Sequence, residues 1–257
     1  MNKRNRFFMI IIAAVLLITG CGTIDTGSNG NNTTETTFRA EVIEAGDYLL
    51  IAPDKDSSEA KSSDRISVRT AQAVITGEDG EEITLADLKP GDFIEVTYDG
   101  IMMDSYPAQI SASAIRVTGH NTLLDGYLAL IDDIWQEDSG LNGGIEMIVL
   151  DTTGWAGLTD MEKEIIFASM KNTYGLDVIE GTYEEMEEQG LIDKEQLYFP
   201  KGVIITIDHV ELKDDNTRIT CSISKWRSGL GAVGSEEAAA EWKDGIWTVT
   251  KNGMWIS

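Results

Sequence analysis

The sequence predicts two folded domains of different class, a small all-β barrel over residues 38–119 and an α+β domain over residues 120–257. Three observations support this division. Short strand patterns separated by turn residues fill the first range. Apolar residues at helical spacing begin just after His120, and further strand patterns close the chain. Helices followed by an antiparallel sheet are typical of an α+β domain.

The predicted barrel strands are short, and several are bounded by glycine, proline or acidic turns. Their ranges are 38–45, 48–52, 65–69, 73–76, 82–85, 93–98 and 109–117. Residues 85–92 read Leu-Ala-Asp-Leu-Lys-Pro-Gly-Asp, which predicts one helical turn ending in a tight Pro-Gly turn. So many short strands within about eighty residues, of which a barrel needs five or six, favour a small barrel.

Helix signals precede strand signals in the second domain. An apolar stripe predicts a helix over 123–137, and Thr-x-x-Glu capping boxes at 159 and 182 open two more, which end at Gly175 and Gly190. Strand patterns occupy residues 145–150, 203–212, 217–225, 238–242 and 246–250. The last four predict an antiparallel meander with polar turns. A helix-wrapped, NTF2-like curved sheet is one candidate by fold analogy.

Two short motifs carry a family resemblance for the barrel. One is the Leu-Lys-Pro-Gly-Asp turn (88–92) ahead of a strand, and the other is Ser-Tyr-Pro-Ala (105–108) ahead of the final strand. Residues 38–119 resemble the OB-like domain of YobA-like lipoproteins of Gram-positive bacteria, over about a third of the chain. The stretch 225–232 also resembles uncharacterised lipoproteins of these bacteria. The resemblance implies an OB-like fold and no particular activity.

The N-terminus predicts export and a lipid anchor. Three basic residues within positions 1–6 precede an apolar run at 7–18, as in a secretory signal peptide. Twelve apolar residues are too few to cross a bilayer as a helix. Ile18-Thr19-Gly20-Cys21 resembles a bacterial lipobox. This resemblance implies removal of residues 1–20, diacylation of Cys21 and an outward-facing protein on the bacterial cell membrane. An ordinary signal peptide that ends near a cysteine is the alternative.

The segment after the predicted anchor is polar, and the chain as a whole is acidic. Residues 21–37 contain one large apolar residue, which predicts a flexible tether of the order of 20 Å. The precursor has a net charge of −24, and removing Lys3, Arg4 and Arg6 with the signal peptide leaves −27. So acidic a surface argues against nucleic-acid partners, since phosphates need Lys and Arg. An acidic surface is also not attracted to anionic lipid headgroups, so the lipid on Cys21 must anchor the protein to the membrane.

Several motif matches fail for lack of context. Gly229–Gly234 fits Gly-x-Gly-x-x-Gly, but no helix and second parallel strand come after it, so we expect no nucleotide. Asp151 opens Asp-Thr-Thr-Gly after an apolar strand, which predicts an Asx-type turn. Cys221 alternates with Ile219 and Ile223, which predicts a buried, unreactive thiol. We find no catalytic motif, and we expect neither a metal nor a cofactor.

One stretch remains as a candidate recognition surface. Trp226, Arg227 and Ser228 end a predicted strand and enter a glycine-rich loop. Trp and Arg are enriched where binding energy concentrates. The alternative is that Trp226 fills the core and Arg227 pairs with one of many acids. We therefore expect a binding protein that recognises an unknown protein or cell-envelope ligand.

The competing hypothesis is an enzyme acting on cell-envelope material, with an unrecognised site in the C-terminal domain. A polar cleft holding a carboxylate of raised pKa near Trp226 or Asp151 would indicate such a site.

The anchor gives the first testable prediction. Cys21→Ser should block lipidation, since the acyl chains attach to the thiol, and should leave precursor or shed protein in place of the anchored form. Membrane fractionation with mass spectrometry of the N-terminus measures this. A Cys21→Ser protein that is processed and membrane-held as before would contradict the anchor.

Overall fold

A computed structural model describes residues 35–257. The predicted signal peptide (1–20), Cys21 and most of the predicted tether lie outside the described residues. Within the described part of the chain, no helix is both long and apolar enough to cross a bilayer.

The N-terminal part is a closed five-stranded barrel, as the sequence predicts. Strands β3, β2, β1, β5 and β6 lie side by side in this order, and parallel pairing of β3 with β6 closes the ring. β4 pairs with β6 outside this ring. The strands are β1 (Thr36–Ala45), β2 (Leu49–Pro53), β3 (Ile66–Arg69), β4 (Val74–Thr76), β5 (Asp92–Tyr98) and β6 (Ala108–His120).

Alternating burial fills the barrel. Every second residue of β5 is buried, and the same alternation runs along β2, so one face of each strand forms the interior. Each fully buried Val, Leu or Ile contributes about 1.5–3 kcal/mol. The predicted strand at 82–85 is not formed. Glu82 makes one isolated bridge to Thr76, and a 3-10 turn comes next at Leu85–Asp87.

The C-terminal part has three helices and a six-stranded sheet in the order β12-β11-β10-β9-β7-β8. The helices are α1 (Thr122–Gln136), α2 (Asp160–Tyr174) and α3 (Tyr183–Glu188). The strands are β7 (Met147–Asp151), β8 (Asp177–Glu180), β9 (Gly202–Leu212), β10 (Arg218–Ser228), β11 (Gly231–Lys243) and β12 (Ile246–Ile256). The predicted antiparallel meander corresponds to β9–β12.

The prediction of helices first and an antiparallel sheet second is wrong in two respects. β7 runs parallel to β9, and β8 runs parallel to β7. Parallel neighbours need a long crossover connection, and α2 supplies it between β7 and β8. Helices and strands therefore alternate through the middle of this part. β8 was not predicted, since its four residues offer too short a pattern.

The helix boundaries agree with the capping signals. The Thr159 hydroxyl accepts the Glu162 N–H at 3.3 Å, and the Glu162 carboxylate accepts the Thr159 N–H at 2.6 Å. Gly175 ends α2 in the left-handed conformation, at φ 66°. The same reciprocal box opens α3 at Thr182.

The barrel runs directly into the second part. β6 ends at His120 and α1 begins at Thr122, so Asn121 alone connects them. The Asn121 N–H donates to the Gly91 carbonyl at 2.9 Å. Gly91 has φ 87°, and a Cβ there would lie 2.7 Å from the Leu124 side chain. Only glycine fits both the conformation and the contact. Ile43 of β1 joins the core formed by the helices and the second sheet.

Candidate functional site

The sequence-predicted Trp226 lies at the end of β10 and packs into a small apolar cluster. Its ring lies 5.0 Å from that of Tyr183 in an edge-to-face arrangement. The cluster that it covers contains Val149, Met186, Ile192, Phe199 and Ile204. These contacts match the alternative in which Trp226 is a packing residue.

Arg227 binds backbone carbonyls. Its Nη1 donates to the carbonyls of Leu141 and Gly143, each at 2.8 Å, and the guanidinium lies 5.7 Å from the Tyr198 ring. Ser228 pairs with Gly231 across a tight connection, so the predicted glycine-rich loop is a short turn between two long strands. Ligand binding by Trp226, Arg227 and Ser228 therefore stays a prediction.

The residue before them, Lys225, has a structural role that the sequence did not predict. It is fully buried, and its Nζ donates to the carbonyl of Trp135 at 2.8 Å and to Asn142 Oδ1 at 2.9 Å. Its charge lies at the C-terminus of α1, where the helix dipole favours a cation. Burial lowers the pKa of Lys225 to about 8. The lysine fixes the end of α1 against β10.

Asp151 and Cys221 have the structural roles that the sequence predicts for them. Asp151 ends β7, and its Oδ1 accepts the Thr153 N–H at 3.1 Å, as in an Asx turn. Cys221 is buried, and burial raises the pKa of its thiol to about 12. Such a thiol is not a nucleophile at neutral pH.

A cleft with a volume of about 980 Å³ runs along α1. Barrel residues 77–92 form one wall, α1 forms the floor, and the end of α2 with the β11–β12 hairpin forms the rest. Six carboxylates line it: Glu78, Glu81, Asp87, Asp92, Asp125 and Asp132. Two cationic side chains accompany them, Lys89 and His120.

His120 lies between two of these carboxylates. Its Nδ1 is 2.7 Å from Asp92 Oδ1, and its Nε2 is 3.0 Å from Asp125 Oδ2. The hydrogen bonds to Asp125 and to Asp92 raise the pKa of His120 to about 9. The ring is therefore an imidazolium at neutral pH, with both nitrogens donating. This charge cluster lies where β6 passes into α1.

Three aromatic side chains, Tyr174, Trp242 and Trp247, also line this cleft. Trp242 and Trp247 are cross-strand partners whose rings lie 5.8 Å apart. The Tyr174 hydroxyl donates to Asp132 Oδ1 at 2.8 Å. Six carboxylates against two cations leave an excess of negative charge beside apolar rings. A cation with an apolar part satisfies both features, since ring faces attract cations.

A second cleft of about 700 Å³ lies between the barrel and the start of α2. Asn121 Nδ2 donates there to Glu41 at 3.1 Å and to Glu162 at 2.6 Å. Burial raises the pKa of Glu41 to about 7. This carboxylate has the raised pKa expected of an enzyme site, but it belongs to β1 and not to the surroundings of Trp226 or Asp151.

The chain matches no family model, and it matches no curated protein. Within residues 35–257, no three His, Cys, Asp or Glu side chains are grouped so that they could hold a metal ion.

Asp92, His120 and Asp125 were not singled out from the sequence. Asp92 and His120 are 28 residues apart in the sequence, so their contact cannot be read from a local pattern. It depends on β5 lying beside β6. One signal was available, since His120 is one of two histidines and stands next to a predicted helix start.

The charge cluster predicts an unusual titration. The His120 imidazolium should titrate near pH 9, and with two histidines in the chain a His209→Gln variant assigns the NMR signals. Because the folded pKa is raised, this stabilisation is complete below about pH 6.5 and is lost as the pH rises through about 9, by up to about 3 kcal/mol.

Denaturant melts of the wild type and of His120→Gln between pH 6 and 10 measure the loss as the difference between the two proteins, since Glu41 and Lys225 also titrate in this range and their contributions are present in both. A His120 signal that titrates near 6.5 would contradict the charge cluster.

Proposed function

We propose that the protein is a lipid-anchored extracytoplasmic binding protein at the bacterial cell surface, and that its cleft along α1 binds a small organic cation. The observation that carries the ligand class is the excess of carboxylates beside Tyr174, Trp242 and Trp247 in one cleft. Its volume lies within the range of ordinary ligand pockets. The anchor is supported by the Ile18–Cys21 motif.

The charge of the whole chain supports the same ligand class. A mature net charge of −27 attracts cations toward the surface and repels anions. Within the cleft, Asp92 and Asp125 contact His120, and the four further carboxylates exceed the single positive charge of Lys89. Aromatic faces then favour a cation that is weakly hydrated, such as a quaternary ammonium group.

The proposal also assigns a fold type to each of the two parts of the chain. The second part of the chain is a helix-wrapped sheet of the NTF2-like type, supported by α1 packing across β10, β11 and β12. The barrel is an OB-like domain of the type found in YobA-like lipoproteins, and the closed five-stranded ring supports this assignment.

Isothermal titration with benzyltrimethylammonium tests the ligand class. We expect saturable binding that salt weakens, and no binding of phenylacetate, which has the opposite charge. Asp132→Asn should weaken binding roughly 3–10-fold, because it removes one cleft carboxylate. Glu188→Gln is the matched control, since it removes a charge from exposed α3. Equal affinity for neutral benzyl alcohol, or equal effects of the two variants, would contradict the proposal.

A cell-envelope hydrolase is the second candidate, and Glu41 is the observation that favours it. A carboxyl group with a pKa near 7 can donate a proton, and Glu162 supplies a second carboxylate across Asn121. We expect such an enzyme to release soluble fragments from purified peptidoglycan and to lose this activity in Glu41→Gln but not in Glu82→Gln. No release by the wild type between pH 5 and 8 would exclude this function.

A further inference from the structure

The loop between β5 and β6, residues 99–107, exposes three large apolar side chains. We refer to it as the apolar loop. Ile101 is 63% exposed, Met103 is 51% exposed and Tyr106 is 70% exposed. Exposed apolar side chains that lie close together on a soluble protein mark contact sites for a partner or a membrane.

The apolar loop is held by its own hydrogen bonds. The Ile101 N–H donates to Asp99 Oδ1 at 3.0 Å, and the Met103 N–H donates to the Gln109 carbonyl at 2.9 Å. Met102 between them packs against the barrel core. The apolar side chains therefore project from a fixed loop, so little conformational entropy is lost when they are covered.

The apolar loop lies at the end of the barrel where the described chain begins. β1 and β5 are antiparallel, and Thr36 pairs with Tyr98, the residue just before the loop. The Glu35 carboxylate accepts a hydrogen bond from Ser113 at 3.0 Å. The other end of β5, at Asp92, pairs with His120 beside α1.

We propose that the apolar loop contacts the lipid bilayer in which the chain is anchored, an inference that rests on the proposed anchor at Cys21. The 14 residues from Cys21 to Glu35 span at most about 50 Å and join the barrel at the same end as the apolar loop, so the loop is within reach of the membrane. A lipid surface suits Tyr106, since tyrosine prefers the membrane–water interface.

The contact is interfacial and apolar. Asp99 precedes the exposed side chains and Asp104 lies between Met103 and Tyr106, and moving a carboxylate into the hydrocarbon region is costly. The loop therefore reaches the headgroup level and no deeper. Because the contact is made by apolar side chains, salt should weaken it little.

The contact also sets the direction of the binding cleft. Asp92 and His120 lie at the opposite end of β5 from the apolar loop. With the loop on the bilayer, the cleft along α1 faces away from the membrane and is open to ligands from outside.

Site-specific fluorescence on the full lipidated protein in phosphatidylglycerol–phosphatidylcholine vesicles tests the proposal. Ile101→Cys carries an environment-sensitive label, and Leu230→Cys is the matched control, since Leu230 is 92% exposed on another turn. Cys221 is buried and escapes labelling. Doxyl lipids should quench the label at 101 roughly threefold more than at 230, because interfacial side chains reach roughly 5–10 Å into the headgroup region.

The outcomes separate the loop from the anchor. If both proteins float with the vesicles but doxyl lipids quench both labels equally, the loop contact is overturned and the anchor stands. If neither protein floats, the anchor fails and the loop contact falls with it. A label at 101 that is protected from aqueous iodide but not quenched by doxyl lipids would assign the loop to a second copy of the chain, which also overturns the proposal.

Discussion

The direct passage from β6 into α1 is the constraint on which the rest of the structure depends. One residue, Asn121, connects the two elements, and its backbone and side chain are both held, by Gly91 and by two glutamates. The barrel therefore cannot swing on a linker. Because both clefts have walls from the barrel and from the helices, their shapes depend on this fixed junction. A glycine at 91 is necessary for it, since Leu124 occupies the space of a Cβ.

A second constraint fixes the far end of α1. Lys225 and Arg227 lie two residues apart on β10, and each donates to carbonyls between the last turn of α1 and β7. A buried lysine without these acceptors would be strongly destabilising, so the charge specifies one position for the helix end. α1 is thus held at its start by the barrel and at its end by the sheet. The cleft floor is consequently rigid, which lowers the entropy lost when a ligand binds.

The features that were predicted correctly are local ones. Caps at Thr159 and Thr182, the ends at Gly175 and Gly190 and the short barrel strands each depend on a few neighbouring residues. The parallel pairing of β7 with β9 was missed, because it joins segments about fifty residues apart and leaves no periodic signal. The site was missed for the same reason, since Asp92 meets His120 only through strand pairing. Trp226 was singled out because tryptophan is enriched at binding sites, but its packing is determined by the apolar cluster beside it.

The junction retains protons at neutral pH on both of its sides. Asp125 and Asp92 keep His120 charged, while burial keeps Glu41 partly neutral near pH 7. Both effects reduce net negative charge where carboxylates are crowded, but their causes differ, since hydrogen bonds to carboxylates raise the pKa of His120 and burial raises that of Glu41. Their consequences for stability have the same sign, because a folded state that holds more protons than the unfolded state loses stability as the pH rises. The acidity of the whole chain is thus opposed at the junction by protons that His120 and Glu41 retain.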